Sequence, residues 1–166
     1  MGFHFEKLSV LLVEDTLPMR KLVTSVLDAL GVGTVYTAPD GDQGFVSFCD
    51  NNPDIVITDW HMLPVSGLDL VHKIRRSPKS PNRMVPVIMM TGYSALPRVE
   101  KARDIGTTEF LVKPFTAQDL ARRLSHVITK PRDFIENKEY FGPDRRRKLE
   151  GEFSGAYKRA EDKTPH

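Results

Sequence analysis

Short apolar runs alternate with helix-periodic segments over about the first 130 residues, and this alternation predicts a fold before any single residue is weighed. Leu8 to Val13 is rich in aliphatics, long enough for a strand and too short for most helices. Leu22, Val23, Val26, Leu27 and Leu30 then recur at the spacing of one helix face, and Gly31 follows as a stop. Val32 to Thr37 reads as a second strand. Asp40 and Gln43 have the spacing of a capping box, opening a helix that runs to Asp50. Beyond Pro53, Asp54 to Thr58 carries Ile55, Val56 and Ile57 as a third strand. Pro64 and Gly67 mark a turn before a helix bearing Leu68, Leu70, Val71 and Ile74. A loop with Pro78 and Pro81 leads to a fourth strand, Val85 to Thr91, with Pro86 near its start, where a strand tolerates it. A helix is predicted over Leu96 to Ile105, ending at Gly106, and a fifth strand over Glu109 to Val112. Thr116 caps a last helix with the stripe Leu120, Leu124, Val127 and Ile128.

Strands that alternate with helices imply a parallel α/β sheet covered on both faces. The near-continuous apolar strands agree, because such a sheet is buried on both sides.

After Pro131 the composition changes. Of the 24 basic residues nine lie from 131 onward, leaving 15 before; of the 22 acidic ones eight lie there, leaving 14. Each part is therefore near +1, and the whole chain carries +2, which argues against a protein that coats nucleic acid. Two domains of unequal kind follow: residues 1–130 fold, and residues 131–166 form a charged, largely extended or disordered tail. Cys49 is the single cysteine, so an intrachain disulfide is excluded, and its apolar neighbours predict a small buried hydrophobe. No stretch approaches membrane-spanning length, and Met1-Gly2 lacks the Ser or Thr that myristoylation needs at the sixth position, where Glu6 stands. A cytoplasmic protein is expected.

Ligands of open α/β sheets bind outside the carboxyl ends of the strands. There the first strand is followed by Glu14 and Asp15, and the third by Asp59. The fourth ends at Thr91, and the fifth is followed by Lys113 and Pro114. Carboxylates gathered at one edge repel unless a cation joins them. Hard oxygens with room for water suit Mg²⁺. Lys113 and the Thr91 hydroxyl add a rim that suits phosphoryl oxygens, whose transfer is catalysed by positioning and charge.

In this order the residues resemble the receiver domain of two-component response regulators. The resemblance rests on Glu14-Asp15 after Val13, on Asp59 closing the run from Ile55, and on the loop Met62 to Gly67. Val87 to Gly92 and Phe110 to Phe115 complete it, over residues 7 to 129. It implies a flavodoxin-like, doubly wound five-stranded sheet in the order 2-1-3-4-5. It also implies that Asp59 accepts a phosphoryl group from the phosphohistidine of a sensor histidine kinase. Glu14, Asp15, Asp59 and the backbone carbonyl of His61 would hold Mg²⁺, and Thr91 and Lys113 would bind the phosphoryl group. Phe110 would be the aromatic switch that turns inward as Thr91 moves, and the Lys113-Pro114 peptide would be cis. Such a chain is a self-modifying switch with slow autodephosphorylation rather than a turnover enzyme.

Two bulky groups at the pocket mouth, His61 and Tyr93, would hinder the hydrolytic water, so that His61→Asn with Tyr93→Ala loses the phosphoryl group faster. The tail is too short and too poor in aliphatics for a helix-turn-helix, which argues against DNA. It does offer Tyr140, Phe141, a Gly-Pro turn and the cluster Arg145, Arg146, Arg147, a short docking motif for a protein. Arg98, Lys101 and Arg103, with Arg122 and Arg123, supply a basic partner face. The leading expectation is a single-domain response regulator that signals by phosphorylation-dependent binding of a downstream protein. The alternative is a phosphorelay shuttle that passes the group to a histidine phosphotransfer protein. A haloacid dehalogenase-type phosphatase would need a second Asp where His61 stands, and a degenerate receiver would lack part of the complete site set. The kinase, the target and the oligomeric state are left open.

Overall fold

A computed structural model of the chain describes residues 5–92, 103, 105–131, 133–136 and 140–144. Five strands, β1 (Ser9–Val13), β2 (Thr34–Ala38), β3 (Ile55–Asp59), β4 (Val87–Gly92) and β5 (Glu109–Lys113), form one sheet. Its order is β2-β1-β3-β4-β5, and every pairing is parallel. The helices are α1 (Leu17–Ala29), α2 (Gly41–Asn51), α3 (Gly67–Arg76) and α4 (Ala117–Thr129). The helix predicted over 96 to 105 lies, apart from Arg103 and Ile105, outside the described residues.

The two-residue period of the strands divides the core. Leu11, Val13, Val56 and Met89 point to one face, where Phe48 of α2 and Leu70, Val71 and Ile74 of α3 cover them. Val10, Leu12, Ile55, Ile57, Ile88 and Met90 point to the other, under Val23 and Leu27 of α1 and Leu120, Leu124 and Val127 of α4. Both sides of each central strand are thereby dry, which is why those strands read as continuous apolar runs.

Helix starts were only partly legible. α1 begins at Leu17, five residues ahead of the first stripe residue, because Pro18 in its first turn lacks only an N–H that has no helical partner there. Leu22 is not on the buried face: it is 56% exposed, and Val23 and Leu27 take the core positions. Asp40 accepts from the Gln43 amide at 2.9 Å, which caps α2. Full capping boxes stand at Ser66–Asp69 on α3 and Thr116–Asp119 on α4. Ser66→Ala or Thr116→Ala is expected to lower stability by about 1 kcal/mol each in denaturant titration. Cys49 is half-buried, not buried: the turn of α2 sends Phe48 into the core and leaves the thiol beside the Lys79 carbonyl at 3.6 Å.

Of the segment from 131 onward, the described residues are 131, 133–136 and 140–144. There β6 (Phe134–Glu136) and β7 (Phe141–Pro143) pair antiparallel and lie against the end of α3. Aliphatic content misses this segment, because its buried area comes from Phe134, Tyr140 and Phe141. Tyr140 and Phe141, expected to dock on a partner, are 3% and 9% exposed and dock on their own domain. Arg145, Arg146 and Arg147 lie outside the described residues. No helix among the described residues is long and apolar enough to cross a membrane.

Candidate functional site

The parallel sheet brings the carboxyl ends of β1, β3, β4 and β5 to one edge. Glu14 directly follows β1, Asp59 is the last residue of β3, Thr91 the last but one of β4, and Lys113 the last of β5. Glu14, Asp15 and Asp59 each present a carboxylate oxygen, all within 4.8 Å of one another. Glu14 and Asp59 are buried, whereas Asp15 is open to solvent.

Lys113 supplies the countercharge. Its Nζ donates to Asp59 Oδ1 at 2.9 Å and stands 3.6 Å from Glu14 Oε1. The other oxygen of Glu14 accepts from the amide and the hydroxyl of Thr16, both at 3.1 Å. Thr16 therefore holds the Glu14 carboxylate rather than capping α1, whose N-cap it occupies without a side-chain bond to the helix. Arg20, on the next turn, donates to the Glu14 carbonyl at 2.7 Å. Burial pushes the Glu14 carboxyl above its ordinary pKa, and the Asp59 charge adds to this, while Thr16 and Lys113 oppose it. Glu14 Oε1 is buried without a hydrogen bond and meets Lys113 Nζ only at 3.6 Å, which leaves it a lone pair for a ligated cation. This orphaned oxygen, in an all-oxygen set with one solvent-open member, fits a hard divalent ion such as Mg²⁺.

The remaining sequence candidates stand farther back. Thr91 is buried, and its hydroxyl donates to the Gly92 carbonyl at 3.3 Å rather than to Asp59. Phe110, beside Met89 in the β4–β5 register, is half-buried against the α2–α3 side of the core. The His61 ring is exposed and stacks on Trp60, with centroids 6.0 Å apart and planes 17° from parallel. Tyr93, Arg98 and Lys101 lie outside the described residues. Arg122 and Arg123 are engaged locally, with Asp119 and Glu109, each at 3.4 Å. The Lys113-Pro114 peptide is cis, and so is Leu63-Pro64, which sequence reasoning did not anticipate.

Sequence reasoning also missed why position 67 is glycine. The loop after β3 folds back so that the Gly67 amide donates to the Trp60 carbonyl at 2.9 Å, and a Cβ at 67 would overlap the Asp59 carbonyl oxygen. The loop thus braces the main chain of Asp59 from behind. Its only sequence signal was a turn glycine a few residues downstream of a strand-end carboxylate.

Residues 10–125 match the response regulator receiver domain family. Chemotaxis protein CheY1 of Helicobacter pylori is 34% identical over 123 residues, covering 73% of this chain and 97% of that protein. Chemotaxis protein CheY-3 of Vibrio cholerae is 30% identical over 125 residues, covering 75% and 95%. Among solved structures, CheY4 of Vibrio cholerae superposes with a TM-score of 0.66 at 28% identity, over 72% of this chain and 98% of that one. The receiver domain of a sensor histidine kinase from Pseudomonas aeruginosa, solved with a magnesium ion in its active site cleft, gives 0.65 at 27% identity, over 72% and 95%. The family match runs from within β1 to within α4 and so takes in the whole sheet and the acidic edge. The chain belongs to the response regulator receiver domain family.

Proposed function

We propose that Asp59 is the phosphoryl acceptor and that the chain signals through a protein contact made when Asp59 is phosphorylated. The observation that carries this reading is the 2.9 Å contact of Lys113 with Asp59 beside two further carboxylates. A cation already faces the oxygen that would become the nucleophile. An Asp59 oxygen attacks phosphorus as the P–N bond to a kinase histidine breaks, and the electron pair returns to the imidazole. The product is an acyl phosphate on Asp59. Glu14, Asp15, Asp59 and the His61 carbonyl would hold Mg²⁺, which when bound neutralises charge on the phosphoryl oxygens. Lys113 transfers its contact from the carboxylate to a phosphoryl oxygen. The Thr91 hydroxyl leaves the Gly92 carbonyl and donates to another, and Phe110 follows into the space on its side of β5. Phosphorylation favours this active arrangement only by as much as these contacts differ between the two states. The chain ends its chemistry there, as a switch rather than a turnover enzyme.

Trp60 offers a direct test, because it is the single tryptophan and adjoins Asp59. Mg²⁺ is expected to change its emission saturably, and beryllofluoride, a phosphoryl analogue, to change it further only when Mg²⁺ is present. Asp15→Ala should weaken Mg²⁺ at least about tenfold, since a carboxylate ligand is lost. Mg²⁺ affinity unaltered in Asp15→Ala would remove the acidic cluster from the account.

A further inference from the structure

At the opposite edge of the sheet, Arg75 is completely buried near the end of α3, where basic side chains ordinarily reach water. Its guanidinium donates to the carbonyls of Gly106 at 3.0 Å, Arg83 at 2.8 Å and Val85 at 2.7 Å, and to Thr108 Oγ1 at 3.3 Å. All four acceptors are neutral, and among the described residues no carboxylate is in contact with this cation. Burial pushes its pKa down to about 9, so it stays charged at neutral pH.

The C-terminal strands cover it. The Phe134 ring centroid lies 5.0 Å from the Arg75 guanidinium, and the Phe141 ring 4.0 Å from that of Arg83. Tyr140 is buried, its hydroxyl donating to the Pro143 carbonyl at 2.7 Å. A Cβ at Gly142 would meet Tyr140 Oη of the same segment at 2.5 Å and, on the body, Gly106 Cα at 3.0 Å. A desolvated cation with no carboxylate in contact among the described residues favours rehydration, which opposes closure, while aromatic cover and three carbonyls favour it. Opposed contributions of this kind make a segment able to open and close.

We propose that residues 133–136 and 140–144 are a lid closed over Arg75, and that its closure is linked through β4 and β5 to the Asp59 edge. The acceptors of Arg75 stand at the starts of those two strands: Val85 precedes β4, and Gly106 and Thr108 precede β5. Thr108 Oγ1 also accepts from the Val87 amide at 3.0 Å, tying the two starts together. The far ends of the same strands carry Thr91 and Lys113. By linkage, whatever state of Asp59 shifts the lid is itself shifted by the lid to the same extent. The linkage rests on the acceptor reading of Asp59; the lid does not.

Amide hydrogen exchange of the full chain tests both. In the native protein the amides of β6 and β7 should exchange at least roughly tenfold more slowly than unstructured peptide. Gly142→Val, which fills the gap closure needs, should abolish that protection and speed exchange at Val87 and Thr108, with α1 and α2 unaffected. Tyr140→Phe, which removes only the hydroxyl bond and guards against a folding failure of the first variant, should give a smaller change in the same direction. Unprotected lid amides in the native protein, or unaltered Val87 and Thr108 in Gly142→Val, overturn the lid. Mg²⁺ with beryllofluoride should alter lid exchange in the native protein by about threefold or more. Unaltered exchange while Trp60 emission reports bound analogue overturns the linkage. If Trp60 emission does not respond, the acceptor reading fails and the linkage with it, and exchange in the unliganded protein alone decides the lid.

Discussion

Lys113→Ala is expected to lower the rate of phosphoryl uptake from a small-molecule donor by roughly 10²- to 10³-fold, the size of loss seen when one preorganised donor to a developing anion is removed. The same substitution should tighten Mg²⁺ binding. Lys113 Nζ lies 2.9 Å from Asp59 and 3.6 Å from Glu14, so it supplies part of the charge balance that the metal would supply. Removing it relieves the competition for those oxygens while deleting the cation that stabilises the transferred group. Metal affinity and transfer rate should therefore move in opposite directions. A merely structural lysine would move both downward together. Stopped-flow uptake kinetics with Mg²⁺ titration by Trp60 emission separates the two outcomes. Without metal the variant should also lose about 1–2 kcal/mol of stability, since Glu14 and Asp59 then face each other without a countercharge.

Gly67→Ala should be the most damaging small substitution near the site, lowering stability by on the order of 3 kcal/mol and the melting temperature by roughly 10 °C. The added Cβ would run into the Asp59 carbonyl oxygen, and main chain cannot rotate aside as a side chain can. The Met89 sulfur, 3.1 Å from the same Cβ position, closes a second direction. Relief requires moving Asp59 itself, so Mg²⁺ affinity should fall along with stability. Gly31→Ala is the contrast. Gly31 has φ of +91° with nothing within 4 Å of its Cβ position. Its cost is conformational only, about 1–2 kcal/mol, with Mg²⁺ binding unaffected. Thermal melts of both variants with and without Mg²⁺ check the pair.

The central strands were legible because each is buried on both faces, so Leu11 and Leu12 are equally apolar although they point in opposite directions. The positions of Glu14, Asp59, Thr91 and Lys113 followed from the strand ends, since a parallel sheet can only place them at one edge. What pattern could not supply was contact made across the fold. Arg75 reads as a solvated last-turn base on α3, yet it is buried among the carbonyls of Gly106, Arg83 and Val85 with the Phe134 ring over it. Phe134, Tyr140 and Phe141 are too sparse to register as a core, yet three aromatics suffice when they close on an existing surface. Thr91 was correctly placed at its strand end, but the direction of its hydroxyl, toward Gly92, is set by local backbone geometry that no spacing encodes. The two Leu residues on the open side of α1, Leu17 and Leu22, show the converse: apolar character alone does not assign a side chain to the interior.

The most direct test of Asp59 as acceptor is intact mass after incubation with acetyl phosphate and Mg²⁺, run in parallel on the native chain and Asp59→Asn. The native chain should gain the mass of a single phosphoryl group, lose it on chelation of Mg²⁺ before donor addition, and show no gain in Asp59→Asn. An equal gain in Asp59→Asn, or none in a native chain whose Trp60 emission reports bound Mg²⁺, would contradict the assignment.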